Sequence, residues 1–420
     1  MSGAVAAHAA YNGSGTQGLA VTNKIQDEDG DVMSVFWNKN DTTRELLYGS
    51  SIIEIPASGS GGDLNAGGNQ YFTVNNDIDA VGDLYLQITT HGNTDSIVGF
   101  GLLACIKRIE FIVGTQVWQT LTGDDIGALN MTEMSEDSFE SFALAMTGSY
   151  SDKSVRKTVT ALVGDLKSTE GTDFTGVLRI PTLSRSVGPK FSKFTDISEQ
   201  SYLLAGAPHQ SVKIKVYMSS SDVITGAGLT SGTKFSLKLF GQSIVMCNEE
   251  REQIKTMPSG LPKRLKMTQN VTQTFTNSSV PLTLDLDHFS LYASHIVLTV
   301  TGTGVNNISI DTVELKLNSS SYSGQLDGPL LTGCVSDSLG LYSNGFYMGG
   351  ANLCDNFYVF PLASLAYGGS SVPLNRFDNI RMEIGVTQGS TPTAACTISA
   401  TCVGETTALY KGGAASLAMY

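Results

Sequence analysis

Two pairs of adjacent acids, Asp124-Asp125 and Glu249-Glu250, are the side chains of this sequence best suited by type to acid–base work. In such work one carboxyl donates a proton while a second stays ionised, and the two meet in space rather than in register. Adjacency alone therefore assigns them no reaction, and both pairs stand in stretches that read as loop or connection. Arg376 and Asp378, in NRFDNIRMEIGV, form a third candidate: neighbours two apart at the lip of a strand, placed for an ion pair that fixes the strand's entry. Exposed, such a pair is worth about 0–1 kcal/mol, so its use would be geometric.

Metal and cofactor chemistry has weaker support. DEDGD, Asp27 to Asp31, sets carboxylates at alternate positions, but an EF-hand begun at Asp27 needs Gly sixth and Glu twelfth, where Val32 and Asn38 stand. A solvated acidic turn is the better reading. His8, His91, His209, His288 and His295 never share a metal-ligand spacing with a cysteine or with one another. GFGLLA, Gly99 to Ala104, matches a dinucleotide fingerprint only in letters, because a strand, IKRIEFIV, follows it where a helix must stand. No G-K dipeptide and no G-x-S-x-G occurs. Catalytic, cofactor-binding and metal residues are accordingly expected to be none, and the chain is read as not an enzyme.

The elements that would position any site are strands. QSVKIKVYM alternates Val212, Ile214, Val216 and Met218 with Lys213, Lys215 and Tyr217, and KFSLKLFG alternates Phe235, Leu237 and Leu239 with Ser236 and Lys238. A period of two puts the apolar set on one face, as in half-buried antiparallel sheets. Only SFESFALAM, Ser138 to Met146, has helical character. Residues 1–50 read as an extended polar arm, and NEEREQIKTMPSGLPKRLK interrupts the strand pattern. The expected division is an arm over 1–50, a first sandwich over 51–250, a linker over 251–266 and a second sandwich over 267–420. Lys255, Lys263, Arg264 and Lys266, the only basic cluster, are expected in solvent on that linker. IEFIVG is weakly similar to VELKLN, and VKIKVYM to IRMEIGV, which suggests a duplicated all-β module of Greek-key or jelly-roll kind.

Composition narrows the partners. At 420 residues and 41% hydrophobic the chain can fill two cores, yet only 15% of it is charged and its net charge is −13. Nucleic-acid affinity comes largely from Lys and Arg, so direct genome binding is not expected. Six cysteines, Cys105, Cys247, Cys334, Cys354, Cys396 and Cys402, show no CxxC and read as mostly reduced and buried. Without a basic segment and apolar core at MSGAVAAHAAYNGSG, synthesis in the cytosol is expected, and the sequons at Asn12, Asn40, Asn130, Asn270, Asn277, Asn307 and Asn318 carry little weight.

Several short signatures then fall in one order. Phe72 to Asp77 leads into Val81-Gly82-Asp83-Leu84-Tyr85-Leu86; Ile109 to Gln116 follows, then His209 to Tyr217, then Ile244 to Arg251. Later come Phe357 to Leu362, Leu374 to Asn379, and the end LYKGGAASLAMY. Over Phe72 to Tyr420 this order resembles the major capsid proteins of the nucleocytoplasmic large DNA viruses. Asn76 and Thr115 depart from that pattern, standing where the family has turn glycines. The resemblance implies an all-β fold of two consecutive eight-stranded jelly rolls, a double jelly roll, with long loops and few short helices. It also implies homotrimeric, nearly hexagonal capsomers that tile an icosahedral shell in the virion after assembly in the host cytoplasm. Neighbouring capsomers, minor capsid proteins and penton proteins would be partners; an internal membrane beneath the shell would be one only indirectly. Loops over 123–170 and 319–350 would make trimer contacts and outer towers. The rival readings are a minor or penton component of the same fold, and a β-sandwich adhesin or carbohydrate-binding protein.

Overall fold

The alternations become strands in a computed structural model that describes residues 25–26, 32–33, 48–58, 63–75, 77–91, 96–97, 102–133, 166–167, 174–181, 202–220, 234–246, 248, 251–252, 261–275, 282–302, 308–327, 331, 357–362, 371–388 and 396–417. The first half is built from β1 Tyr48–Ile55, β2 Asn69–Thr73, β3 Ala80–His91, β4 Ile106–Val113, β5 Gln116–Leu121, β6 Phe174–Ile180, β7 Val212–Met218 and β8 Lys234–Met246. They pair antiparallel into two sheets, ordered β1-β8-β3-β6 and β2-β7-β4-β5. The second half is built from β9 Leu261–Phe275, β10 Leu282–Asp285, β11 Tyr292–Gly302, β12 Ile308–Leu317, β13 Ser320–Asp327, β14 Phe357–Pro361, β15 Ile380–Gln388 and β16 Cys396–Lys411. Its sheets are ordered β9-β16-β11-β14 and β10-β15-β12-β13. Each strand of the second half therefore holds the place of the strand eight earlier, and the chain is two eight-stranded jelly rolls. The similar segments in the sequence are β4 with β12 and β7 with β15, which are equivalent strands in this scheme.

Period-two patterning explains the cores. In β7 the four apolar residues Val212, Ile214, Val216 and Met218 are buried while Lys213, Lys215 and Tyr217 face outward. Phe72 and Phe235 anchor the first core, and Phe289 and Phe360 the second. Burying one such side chain is worth about 1.5–3 kcal/mol. The exit from the first sandwich is fastened by charge: the Arg251 guanidinium grips both oxygens of buried Asp79 at 2.6 and 2.7 Å, and Asp79 also accepts the Met246 N–H at 2.7 Å.

The described residues include the helices α1 Leu102–Cys105 and α2 Gly123–Glu133, and Asn248, Arg251 and Glu252 are helical as well. Helix α2 was not expected, since this stretch reads as loop by propensity. It starts because Thr122 and Asp125 cap each other: the Asp125 N–H donates to the Thr122 hydroxyl at 3.2 Å, and the Thr122 N–H to the Asp125 carboxylate at 2.9 Å. The helix expected over Ser138 to Met146 lies outside the described residues.

Two further expectations change. Strand β9 begins at Leu261, so Lys263, Arg264 and Lys266 are strand residues, and Lys266 is only 7% exposed rather than solvated. Lys255 lies outside the described residues. Arg376 and Asp378 are both exposed and form no ion pair, because Leu374–Arg376 is a 3-10 turn and the two do not share one side of a strand. The entry to β15 is held from other elements instead. Asp287 accepts the Ile380 N–H at 2.6 Å, and the Asn318 side-chain oxygen accepts those of Asp378 and Asn379 at 3.0 and 3.2 Å. Asn318 can do so from a left-handed turn conformation, φ 49, that asparagine tolerates better than most residues. In urea titrations Asp287→Ala should cost about 1–2 kcal/mol, the loss of a charged acceptor on a partly buried N–H. Asp378→Ala should stay within about 0.5 kcal/mol.

Candidate functional site

The two jelly rolls meet along one joint, and most of the buried polar groups of the described chain lie there. From the first come β5 and α2; from the second comes the outer face of the β9-β16-β11 sheet, the side turned away from its own core. Gln119 donates its amide to Thr268 across the joint at 3.3 Å. Asp125 is fully buried, with one carboxylate oxygen on its own helix start and the other facing the second jelly roll. That second oxygen accepts the Asn270 amide at 2.7 Å and the Thr401 hydroxyl at 2.5 Å. An amide NH2 has two hydrogens, so the second is shared between Ser399 at 2.7 Å and Thr401 at 2.9 Å. One carboxylate thus caps a helix and docks a domain.

Beside this network lies an aromatic wedge. Tyr202 packs on Phe111, Trp118 and Tyr410 with ring centres 5.5 to 5.8 Å apart, and the Tyr410 hydroxyl accepts the Leu203 N–H at 3.4 Å. Further along, the end of the chain folds back on the first jelly roll. The His209 N–H donates to the Gly413 carbonyl at 3.1 Å, and the Ala415 N–H to the Gln210 side chain at 2.7 Å. Gly413 has φ +76 and lies so near His209 that any Cβ would run into the imidazole, so glycine is required there.

Two bases are enclosed by the same contact. Burial pushes the Lys266 ammonium down to about 7, with Asp83 pulling it partly back. Burial, with Lys266 nearby, pushes His295 down to about 3. At neutral pH the imidazole is uncharged, its Nδ1 2.9 Å from the Ser294 hydroxyl. Both bases lie within the contact between the two jelly rolls.

The sequence candidates are not brought together. Asp125 is a structural acid at a helix start, whereas Glu249, Glu250 and Asp27 to Asp31 lie outside the described residues. The last three residues of the Gly-rich motif, Leu102 to Ala104, lie in the one-turn helix α1, and β4 follows; Gly99 and Gly101 themselves lie outside the described residues. His91 sits 3.9 Å from Asp63, His288 packs edge-on against Phe289, and His8 lies outside the described residues. Among the described residues no three of His, Cys, Asp and Glu cluster as a metal site. Cys105 and Cys402 are free and buried, and burial pushes the Cys105 thiol up to about 12, which suppresses its thiolate. Cys247, Cys334, Cys354 and the side chain of Cys396 lie outside the described residues. Asn130, in a sequon, is fully buried with its amide on the Ile126 and Arg179 carbonyls at 2.8 and 3.0 Å, which closes it to a glycan. The joint itself escaped the sequence reading, which named Asp125, Lys266, Asn270 and His295 in other roles. Two signals could have pointed to the joint, the T-x-x-D capping box at Thr122 and the Gly412-Gly413 pair.

No family model matches the sequence, and no curated protein matches it. Solved structures do match. A chain of the PBCV-1 virus capsid superposes with TM-score 0.67 at 12% identity, over 92% of this chain and 100% of that one. The Faustovirus major capsid protein gives TM-score 0.60 at 8% identity, over 90% and 93%. This chain shares the fold of these capsid proteins. A chain of the Sputnik virophage particle also superposes, with TM-score 0.51 at 10% identity, over 94% of this chain and 92% of that one. At such identities it is the double jelly-roll fold that is held in common, and the joint is a property of this chain's own residues.

Asp125→Ala should cost about 2–4 kcal/mol in chemical denaturation, since it strands Asn270, Thr401 and the Thr122 N–H in a buried site. It should also split one unfolding transition into two in calorimetry. The bases set a pH dependence. Both pKa values are lower folded than unfolded, so the unfolded chain takes up protons first and stability rises with pH. For His295 the change falls between about 3 and the ordinary 6.5, and for Lys266 between about 7 and 10.5. Lys266→Met should raise the melting temperature at pH 7 and flatten the rise in stability between pH 7 and 10.

Proposed function

We propose that this chain is a structural capsid protein and not an enzyme, three copies of which close head to tail into a capsomer of nearly hexagonal outline. The supporting observation is an asymmetry between two equivalent faces. The outer face of β9-β16-β11 is buried within the chain: Thr268, His295, Ser399 and Thr401 are each at most 6% exposed. The equivalent face of the first jelly roll, on β1 and β8, leaves Ile52 67% exposed where it stands opposite Gln242. On the docking side, β5 is engaged, while its equivalent β13 is exposed along most of its length, with Tyr322 44% open. Repeating the internal joint between copies covers both orphan surfaces. Because the contact is heterologous, it closes only as a ring, and three chains of two jelly rolls complete a six-membered one. An open edge strand and exposed large aliphatics are otherwise liabilities for a protein made in many copies.

In this reading such capsomers tile an icosahedral shell in the virion, assembled in the host cytoplasm, with minor capsid and penton proteins as further partners. The net charge of −13 fits contact with other proteins better than with a genome. In the same reading the residues before β1 serve as the arm, and those between β8 and β9 as the connection between jelly rolls. Light scattering of the purified protein should give three times the 44.5 kDa chain mass. Ile52→Lys should yield a folded monomer with unchanged circular dichroism. A wild-type monomer at micromolar concentration overturns the capsomer.

A further inference from the structure

The two sheets that face away from the joint, β2-β7-β4 and its equivalent β10-β15-β12, differ in charge. On the first, Lys215 sits between Tyr71 and Tyr217, its ammonium 4.6 and 4.3 Å from the ring centres, and the Arg108 guanidinium lies 4.2 Å over Tyr217. Lys213 stands next to Lys215 on the same side of β7. The one acid among them, Glu110, is already held by Arg108 at 2.9 Å and by the Tyr217 hydroxyl at 3.2 Å. Cation–π stacking keeps these long side chains upright on the sheet at little entropic cost, so the face is a preorganised basic and aromatic strip on an acidic protein.

The equivalent face reverses the sign. Register places Asp285 opposite Arg381, and Glu383 opposite both Thr283 and Glu314. Lys316 spans Glu383 at 2.6 Å and Glu314 at 4.0 Å, which leaves three acids against two bases and no aromatic cover. Where β7 has Lys215, β15 has Glu383; where β2 has Tyr71 and Thr73, β10 has Thr283 and Asp285. Both faces are partly open to solvent and neither takes part in the joint.

We infer that these faces are the contacts between capsomers, the basic, aromatic face of one copy docking on the acidic face of a copy in the neighbouring capsomer. This rests on the trimeric reading above. A trimer would then show six sides alternating in sign, and two trimers would associate only in rotations that bring unlike sides together, like-charged sides being excluded by repulsion. The alternation would turn a nearly six-fold outline into a three-fold code for lattice orientation. It would also make association between trimers depend on salt, since such partly exposed charges are screened.

The test is sedimentation velocity of the full-length protein at low and high ionic strength, with trimer mass and trimer–trimer association read separately. Lys213→Glu with Lys215→Glu makes all six sides acidic, and Glu314→Lys with Glu383→Lys makes all six basic. Each double variant should remain trimeric and lose trimer–trimer association by about tenfold or more. An equal mixture of the two should associate again. Trimers of either variant that associate as wild type does, or wild-type association indifferent to salt, overturn the charge match while leaving the trimer standing. A wild-type protein that never forms trimers sinks the capsomer reading itself.

Discussion

A sheet in a sandwich needs only one covered face, but the sheet β9-β16-β11 buries both, and the rest of the chain's organisation depends on that second burial. Its inner face carries Ile296, Leu298, Ile398, Ala400 and Cys402 into the core of the second jelly roll. Its outer face carries hydroxyls, amides and two bases, which would be ordinary in water and are costly out of it. Each therefore requires a partner from the first jelly roll. Asp125 answers two of them and Gln119 a third, and this places α2 and β5 to within a hydrogen-bond length. Two domains on a flexible linker would otherwise sample many relative orientations.

The network is also selective in a way that apolar contact is not. An apolar joint could slide by a residue along β9 with modest loss, whereas a slip here leaves a buried carboxylate without its donors. Lys266 and His295 show the cost of this arrangement: both ionise less readily than in water because the same contact excludes solvent from them. The aromatic wedge of Tyr202 and Tyr410 and the turn at Gly413 fill the remainder of the seam with shape-dependent contacts.

The strands were legible from the sequence because their signal is local: Val212 to Met218 and Ile380 to Val386 alternate regardless of what they pair with. Their duplication was legible for the same reason, since equivalent strands keep equivalent patterns. The joint was not, because Gln119, Asp125, Asn270 and Thr401 are ordinary polar residues whose burial arises only when strands distant in sequence meet. Helix α2 was missed because its interior, with Gly127, Asn130 and Thr132, has poor helix propensity, while its start is set by Thr122 capping with Asp125, one of the acids that looked catalytic. Arg376 and Asp378 failed in the opposite sense. They had the right letters for an ion pair, but a 3-10 turn separated them, and Asp287 and Asn318 supply the contacts from other elements.

Duplication would by itself give two equal docking faces, yet the two have diverged in kind. The face used within the chain is polar and joined by hydrogen bonds from Asp125 and Gln119, which suits a contact made once, at effectively high local concentration, where specificity matters more than gross affinity. Its open counterpart carries Ile52, and β13 offers Tyr322, a composition closer to that of an interface core. A contact between separate chains must offset the loss of translational freedom, which hydrogen bonds exchanged with water do poorly and buried apolar area does well. It must also leave the free chain soluble, which limits it to a few large side chains set beside polar ones such as Gln242. With the proposed ring of three copies, the same fold would present two solutions to one docking problem, and the difference between them would follow from whether the partner is tethered.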